Sequence, residues 1–159
     1  MIGVTGVKAV VQRVDFAQVS VDDTIIGEIG RGLLILLGVE ANDERNDAEY
    51  LADKLINLRI FEDSKGKMNI SLLDISGEMM VVSQFTLLAD CTKGRRPSFV
   101  NACEPQRAAE LYEYFVEVVS KSVTKVATGK FQEMMKIELR NSGPVTLILD
   151  STVRRDKKS

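Results

Sequence analysis

The 159-residue chain contains no histidine and no tryptophan, only 3 prolines and only 2 cysteines. Without an imidazole, Ser-His-Asp and Cys-His catalysis are excluded, and so is the commonest general base. A zinc site would have to combine Cys91 and Cys103 with carboxylates alone, which is a poor ligand set for that metal. The two cysteines form no metal or redox motif and read as reduced thiols. No apolar run reaches the roughly 20 residues of a membrane span, and the N-terminus has no signal-peptide layout. The expectation is a cytoplasmic protein with no membrane partner, no metal and no cofactor.

Charge of neither sign dominates. Twenty-one Lys and Arg stand against 23 Asp and Glu, for a net charge of −2, so a bulk electrostatic grip on nucleic acid is absent. The charges are uneven. Glu40 to Glu49 is acidic, Lys93, Arg95 and Arg96 cluster, and Arg154, Arg155, Lys157 and Lys158 crowd the tail. A chain of this length forms one domain and buries roughly 70% of its unfolded surface. The domain is expected over 7–150, with loose ends at 1–6 and 151–159.

Strand patterns dominate between those ends. Val7–Val14, Gln18–Val21 and Thr24–Ile29 are candidates, with Asp22-Asp23 as a hairpin turn. Leu33–Val39 is continuously apolar, as in a strand covered on both faces. Met79–Leu88, Met134–Leu139 and Val145–Leu149 complete the set. Two segments carry the helical period. One presents Ala48, Leu51, Leu55 and Leu58, capped by Asn42 or Asp43; the other has Pro105 in its first turn, then Ala108, Leu111, Phe115 and Val118. The sum is an α+β fold with a largely antiparallel sheet and two main helices.

Three stretches carry polar residues where the pattern asks for something else. Ser83, Gln84 and Thr86 interrupt the apolar run from Met79 to Leu88. Buried polar groups without partners cost on the order of 1–3 kcal/mol, so these residues mark either a bulge or edge, or a wall of a ligand site. Neither hydroxyl has a histidine to activate it. Asn141-Ser142-Gly143-Pro144-Val145-Thr146 reads on residue types as a turn, one able to fix backbone carbonyls rigidly. Lys93-Gly94-Arg95-Arg96-Pro97-Ser98-Phe99 suits either a solvated loop or a phosphate-contacting one. No Walker or GxGxxG pattern is present.

These segments, with Val10-Val11-Gln12-Arg13-Val14, Gly30-Arg31-Gly32-Leu33-Leu34, Asn57-Leu58-Arg59-Ile60-Phe61 and Lys67-Met68-Asn69, resemble the D-aminoacyl-tRNA deacylases in order and over nearly the whole chain, from Lys8 to Asp150. The resemblance implies a homodimer of antiparallel β-barrel-like domains with flanking helices and active sites at the interface. It also implies hydrolysis of the ester joining a D-amino acid, or glycine, to the end of tRNA. Ser83, Gln84, Phe85 and Thr86 would line the catalytic pocket. Gly143-Pro144 would be a cis dipeptide that enters the partner's pocket and rejects L-amino acids, oriented by Arg13. Lys93, Arg95 and Arg96 would meet tRNA phosphates. Two other readings fit the residues: a nucleic-acid or nucleotide binder without enzymatic activity, and a structural homodimer joined through the polar strand.

Overall fold

The computed structural model describes residues 7–152. Its longest element, β1 (Lys8–Val21), runs unbroken where the sequence pattern suggested two strands. β1 turns through Asp22 and Asp23, both with positive φ (49° and 62°), into β2 (Thr24–Ile29). Two left-handed residues give the turn the twist that a tight hairpin needs. β3 (Gly32–Gly38) returns along the other half of β1, pairing Val14 with Gly32 and Lys8 with Gly38.

Helix α1 (Arg45–Asn57) follows, then a small hairpin of β4 (Phe61–Glu62) and β5 (Met68–Ile70). β6 (Glu78–Ser83) lies parallel to β3 and ends in a 3-10 helix, Phe85–Leu88. Helix α2 (Pro105–Ser120) leads to β7 (Val126–Thr128), parallel to β6, and β8 (Lys136–Asp150) closes the chain against the free side of β1. The main sheet has the order β2-β1-β3-β6-β7, with β8 added on β1. It is nearly closed, because β2 comes back beside β7: a Cβ on Gly27 would lie 3.1 Å from the Thr128 carbonyl oxygen. The fold is α+β, with a barrel-like sheet and two helices.

The sheet is antiparallel only in part. β1 pairs antiparallel with β2, β3 and β8, but β3–β6 and β6–β7 are parallel because each connection is a long crossover containing a helix. Sequence periodicity alone had nothing to distinguish these pairings.

Both faces of the central strands are covered, as the unbroken apolar run of β3 suggests. Leu33, Ile35, Leu37, Met79 and Val81 face α1 and α2, among Leu51, Leu55, Tyr112 and Phe115. Leu34, Met80 and Val82 face the barrel interior with Val14, Val19 and Ile29.

Helix α1 starts later than the capping reading placed it. Its N-cap is Glu44, whose N–H is met by Asp47 Oδ2 at 2.9 Å, while the Asp43 carboxylate is fully buried and accepts from Glu40 N at 2.5 Å. At the other end of the domain, Ser151 and Thr152 are buried, and Ser151 Oγ accepts from Val7 N at 2.8 Å. Packing therefore continues two residues past Asp150. Residues 1–6 and 153–159, with the basic tail, lie outside the described residues. None of the described helices is long and apolar enough to cross a membrane.

Candidate active site

β6 stops where the sequence turns polar, five residues before the end of the expected strand. Gln84 N makes a last rung to Leu37 O at 2.8 Å, and the chain then tightens over Gly38. A Cβ there would meet Gln84 O and Leu87 Cβ at 3.2 Å each, so the glycine makes room for the turn. The first bond within the 3-10 helix is Leu87 N to Gln84 O. The N–H groups of Phe85 and Thr86 precede it and are not used by the helix. Ser83 and Gln84 are half-buried; Phe85 and Thr86 are exposed.

All four residues line one cleft of about 610 Å³. Its second wall is Ala102, Cys103, Pro105 and Ala108, from the segment leading into α2. Its third is Phe131–Met135, between β7 and β8. Tyr112 braces this region from behind: its hydroxyl donates to Val81 O at 2.7 Å, and its ring lies 6.3 Å from that of Phe131. Burial pushes the Tyr112 phenol up to about 12.

The wall from Ser83 to Thr86 offers little acid–base chemistry, and the carboxylate in the cleft, Glu133, is on the Phe131–Met135 wall, 3.8 Å from Lys130 Nζ. Gln84 Nε2 donates to Thr86 Oγ1, so the nearest partner of that hydroxyl is an amide, which cannot remove a proton. Burial raises the Cys103 thiol above its ordinary value, which keeps it protonated near neutral pH. Among the described residues no group of three or more Cys, Asp or Glu is arranged to hold a metal ion.

Gly143 and Pro144 lie elsewhere. The segment expected to be a turn between two strands is an excursion within the continuous β8. Gln12 pairs with Thr146 and Val14 with Asn141, so one β1 residue, Arg13, faces four of β8, Ser142 to Val145. The Gly143–Pro144 peptide bond is cis, and Gly143 has φ +127°. A Cβ on Gly143 would come within 2.9 Å of both Arg13 Nη2 and Val145 Cγ2. Arg13 is buried and grips this bulge, donating from Nε to Ser142 O at 3.0 Å and from Nη1 to Ile60 O at 2.8 Å. A small hollow of about 100 Å³ beside it is lined by Arg31, Phe61 and Glu62 among others.

Within the chain the bulge and the cleft do not meet. Arg13 is opposite Leu33, whereas Ser83 is beside Leu37; four residues of strand separate those levels, about 13 Å. The residues lining the cleft include neither Gly143 nor Pro144.

Lys93, Arg95 and Arg96 are exposed on a loop closed by the Asp90–Ser98 bridge. Hydrogen bonds from Thr92 hold the Asp90 carboxyl below the usual carboxylate range. Phe99, just beyond the loop, packs on Phe85 with ring centroids 5.0 Å apart. The basic loop therefore flanks the cleft without lining it. Among the described residues, none of the three cations is in an ion pair.

Sequence reasoning missed two of the three cleft walls. Met134 was placed in a strand that in fact starts at Lys136, and Phe131–Met135 form the wall before it. A left-handed Gln132 (φ 62°) shapes that segment, and no local residue pattern announces it.

Residues 10–150 match the family described as D-Tyr-tRNA(Tyr) deacylase. This chain belongs to that family. A D-aminoacyl-tRNA deacylase of Thermosipho melanesiensis is 59% identical over 145 residues, which span 91% of this chain and 97% of the relative. One from Syntrophus aciditrophicus is 58% identical over 144 residues, with the same coverage. Among solved structures, one described as a c-Myc DNA unwinding element binding protein superposes with TM-score 0.85 at 40% identity, covering 89% of this chain and 97% of that one. A probable eukaryotic D-amino acid tRNA deacylase shares the fold, with TM-score 0.79 at 17% identity over 91% of this chain and 98% of that one. With the family comes the reaction class: the chain is a hydrolase of aminoacyl-tRNA esters.

Proposed function

We propose that the protein removes D-amino acids, and glycine, from the 3′ end of tRNA and leaves L-aminoacyl-tRNA intact. The observation that carries the mechanism is the turn at Ser83–Thr86. It faces a cleft with two backbone N–H groups that its own helix does not use, while the carboxylate that lines the cleft, Glu133, is on the Phe131–Met135 wall and paired with Lys130 at 3.8 Å. An aminoacyl ester is already activated. Binding it against the turn, with the N–H groups of Phe85 and Thr86 aimed at the developing oxyanion, supplies much of what hydrolysis needs. Water adds to the carbonyl carbon, the bond to the ribose oxygen breaks, and that oxygen takes up a proton. The neighbouring ribose 2′-hydroxyl positions the water, so the RNA takes part in its own cleavage.

Stereoselection falls to the Gly143-Pro144 bulge of a second copy. The 13 Å offset means that a bulge can reach a cleft only across a dimer, and β8 suits such an interface. Its Leu147 and Ile148 are 36% and 79% exposed, and among the described strands it pairs only with β1. With the Gly143 and Pro144 carbonyls receiving the substrate's amino group, an L side chain would run into fixed backbone. A D side chain would point outward, and glycine would fit either way. Rejection then depends on a clash rather than on side-chain identity. Lys93, Arg95 and Arg96 meet acceptor-stem phosphates, and the work is done in the cytoplasm, without a cofactor.

A second reading, nucleic-acid binding without cleavage, draws on the unpaired cations of that loop and on the relative described as binding a DNA element. One assay separates the two. D-Tyr-tRNA and glycyl-tRNA should lose their amino acids while L-Tyr-tRNA survives at the same enzyme concentration. Protection of all three esters supports the binder, and comparable cleavage of L-Tyr-tRNA removes the stereochemical account.

A further inference from the structure

We infer that Asn141 and Thr146 are positioning residues for stereoselection: their side chains lock the shape of the Gly143-Pro144 bulge. The inference rests on the proposal that this bulge rejects L substrates. It concerns two residues to which that proposal gives no part.

Facing one residue of β1 with four of β8 takes Ser142 to Val145 out of the strand ladder. Such an excursion is free to vary in shape unless something replaces the missing rungs. Arg13 replaces one, on the N-terminal side, through Ser142 O at 3.0 Å. Asn141 replaces the other. Its Oδ1 accepts from Val145 N at 2.9 Å, closing a side-chain ring around Gly143 and Pro144 from the C-terminal side. The other end of the same amide, Nδ2, donates to Thr146 Oγ1 at 2.9 Å. That oxygen also accepts from Gln12 Nε2 at 3.4 Å, which ties the brace to β1.

Both flanks of the dipeptide are thus pinned, by Arg13 on one side and by Asn141 with Thr146 on the other. The two carbonyls between them stand outside the ladder. Asparagine offers an acceptor and a donor on one short stem, and the threonine hydroxyl accepts from two amides. Selection by a clash requires atoms held within about 0.5 Å, and a displacement of about 1 Å can cost a hundredfold. A bulge released on one side loses that accuracy while the cleft at Ser83–Thr86, at least about 13 Å away in the same protomer, stays intact.

The test is the ratio of D-Tyr-tRNA to L-Tyr-tRNA cleavage rates, measured under single-turnover conditions in the full chain. Asn141→Ala and Thr146→Val should each lower this ratio roughly tenfold or more, chiefly by raising the L rate. Thr146→Ser, which keeps the hydroxyl, should restore the wild-type ratio. A purely structural role would slow both substrates together, leave the ratio unchanged and overturn the inference. Thr146 is exposed, so its valine variant supplies the answer even where Asn141→Ala does not fold. A wild-type chain that fails to discriminate would instead overturn the underlying reading, and the two failures are told apart by that control.

Discussion

Gly32 and Glu78 meet backbone to backbone: a Cβ on the glycine would sit 1.7 Å from the Glu78 carbonyl oxygen. This contact opens the parallel pairing of β3 with β6, and Glu78 also holds Gly30 N with its carboxylate at 2.6 Å. No rotamer can relieve a clash between main chains. Gly32→Ala should therefore destabilise the fold by about 3 kcal/mol, at the upper end for overpacked sites. The readout is the urea midpoint; an unshifted midpoint would mean that the strands do not approach this closely.

Thr86→Ala should keep deacylation of D-Tyr-tRNA within about tenfold of wild type, because the hydroxyl has an amide rather than a base beside it. Loss of an essential nucleophile lowers turnover by roughly 10⁴-fold or more. Single-turnover rates decide between the two.

Salt should weaken the encounter with tRNA. With Arg95 and Arg96 on phosphates as proposed, Arg95→Gln together with Arg96→Gln should flatten the log–log dependence of apparent affinity on salt by about 1.5. Turnover at saturating tRNA should hardly change, since neither side chain lines the cleft. An unaltered slope would place the acceptor stem elsewhere.

Alkaline stability should depend on Tyr112. Its phenol titrates near pH 10 in the unfolded chain but is pushed up to about 12 when folded. Between those values the native state holds a proton that the unfolded chain has released. Stability from this group is thus complete below pH 10 and falls as pH rises towards 12, by up to about 1.4 kcal/mol per unit. Tyr112→Phe should remove that slope, measured by denaturation at pH 9 and pH 11, and should cost about 1 kcal/mol at neutral pH for the hydrogen bond to Val81 O.

The elements most legible in the sequence are those where one local rule dominates. The Asp22-Asp23 turn, the doubly covered β3 and the proline-started α2 all follow from spacing and backbone preference. The polar interruption at Ser83–Thr86 marked a cleft wall, but the strand ended there because Gly38, far away in sequence, let the chain fold over it. At Gly143-Pro144 the residue types alone suggested a turn, and it was the family resemblance that implied the cis bond and the part of Arg13, both of which the structure has. The frame of the bulge is Arg13, 129 residues from Ser142, and a turn motif read alone contains no trace of that partner. Phe131–Met135 gave no warning, since their place in the cleft depends on where β7 and β8 lie in the barrel. Parallel or antiparallel pairing was equally silent, being a property of crossovers rather than of any single strand.

The offset between bulge and cleft gives each copy of the chain two ends with different duties. Under the dimeric reading, a subunit crippled at Gly143 and another crippled at Phe85 still make one sound pocket between them when mixed, and one ruined twice over. An unselective preparation and an inactive one, combined and allowed to exchange subunits, should then regain part of the lost preference for D substrates.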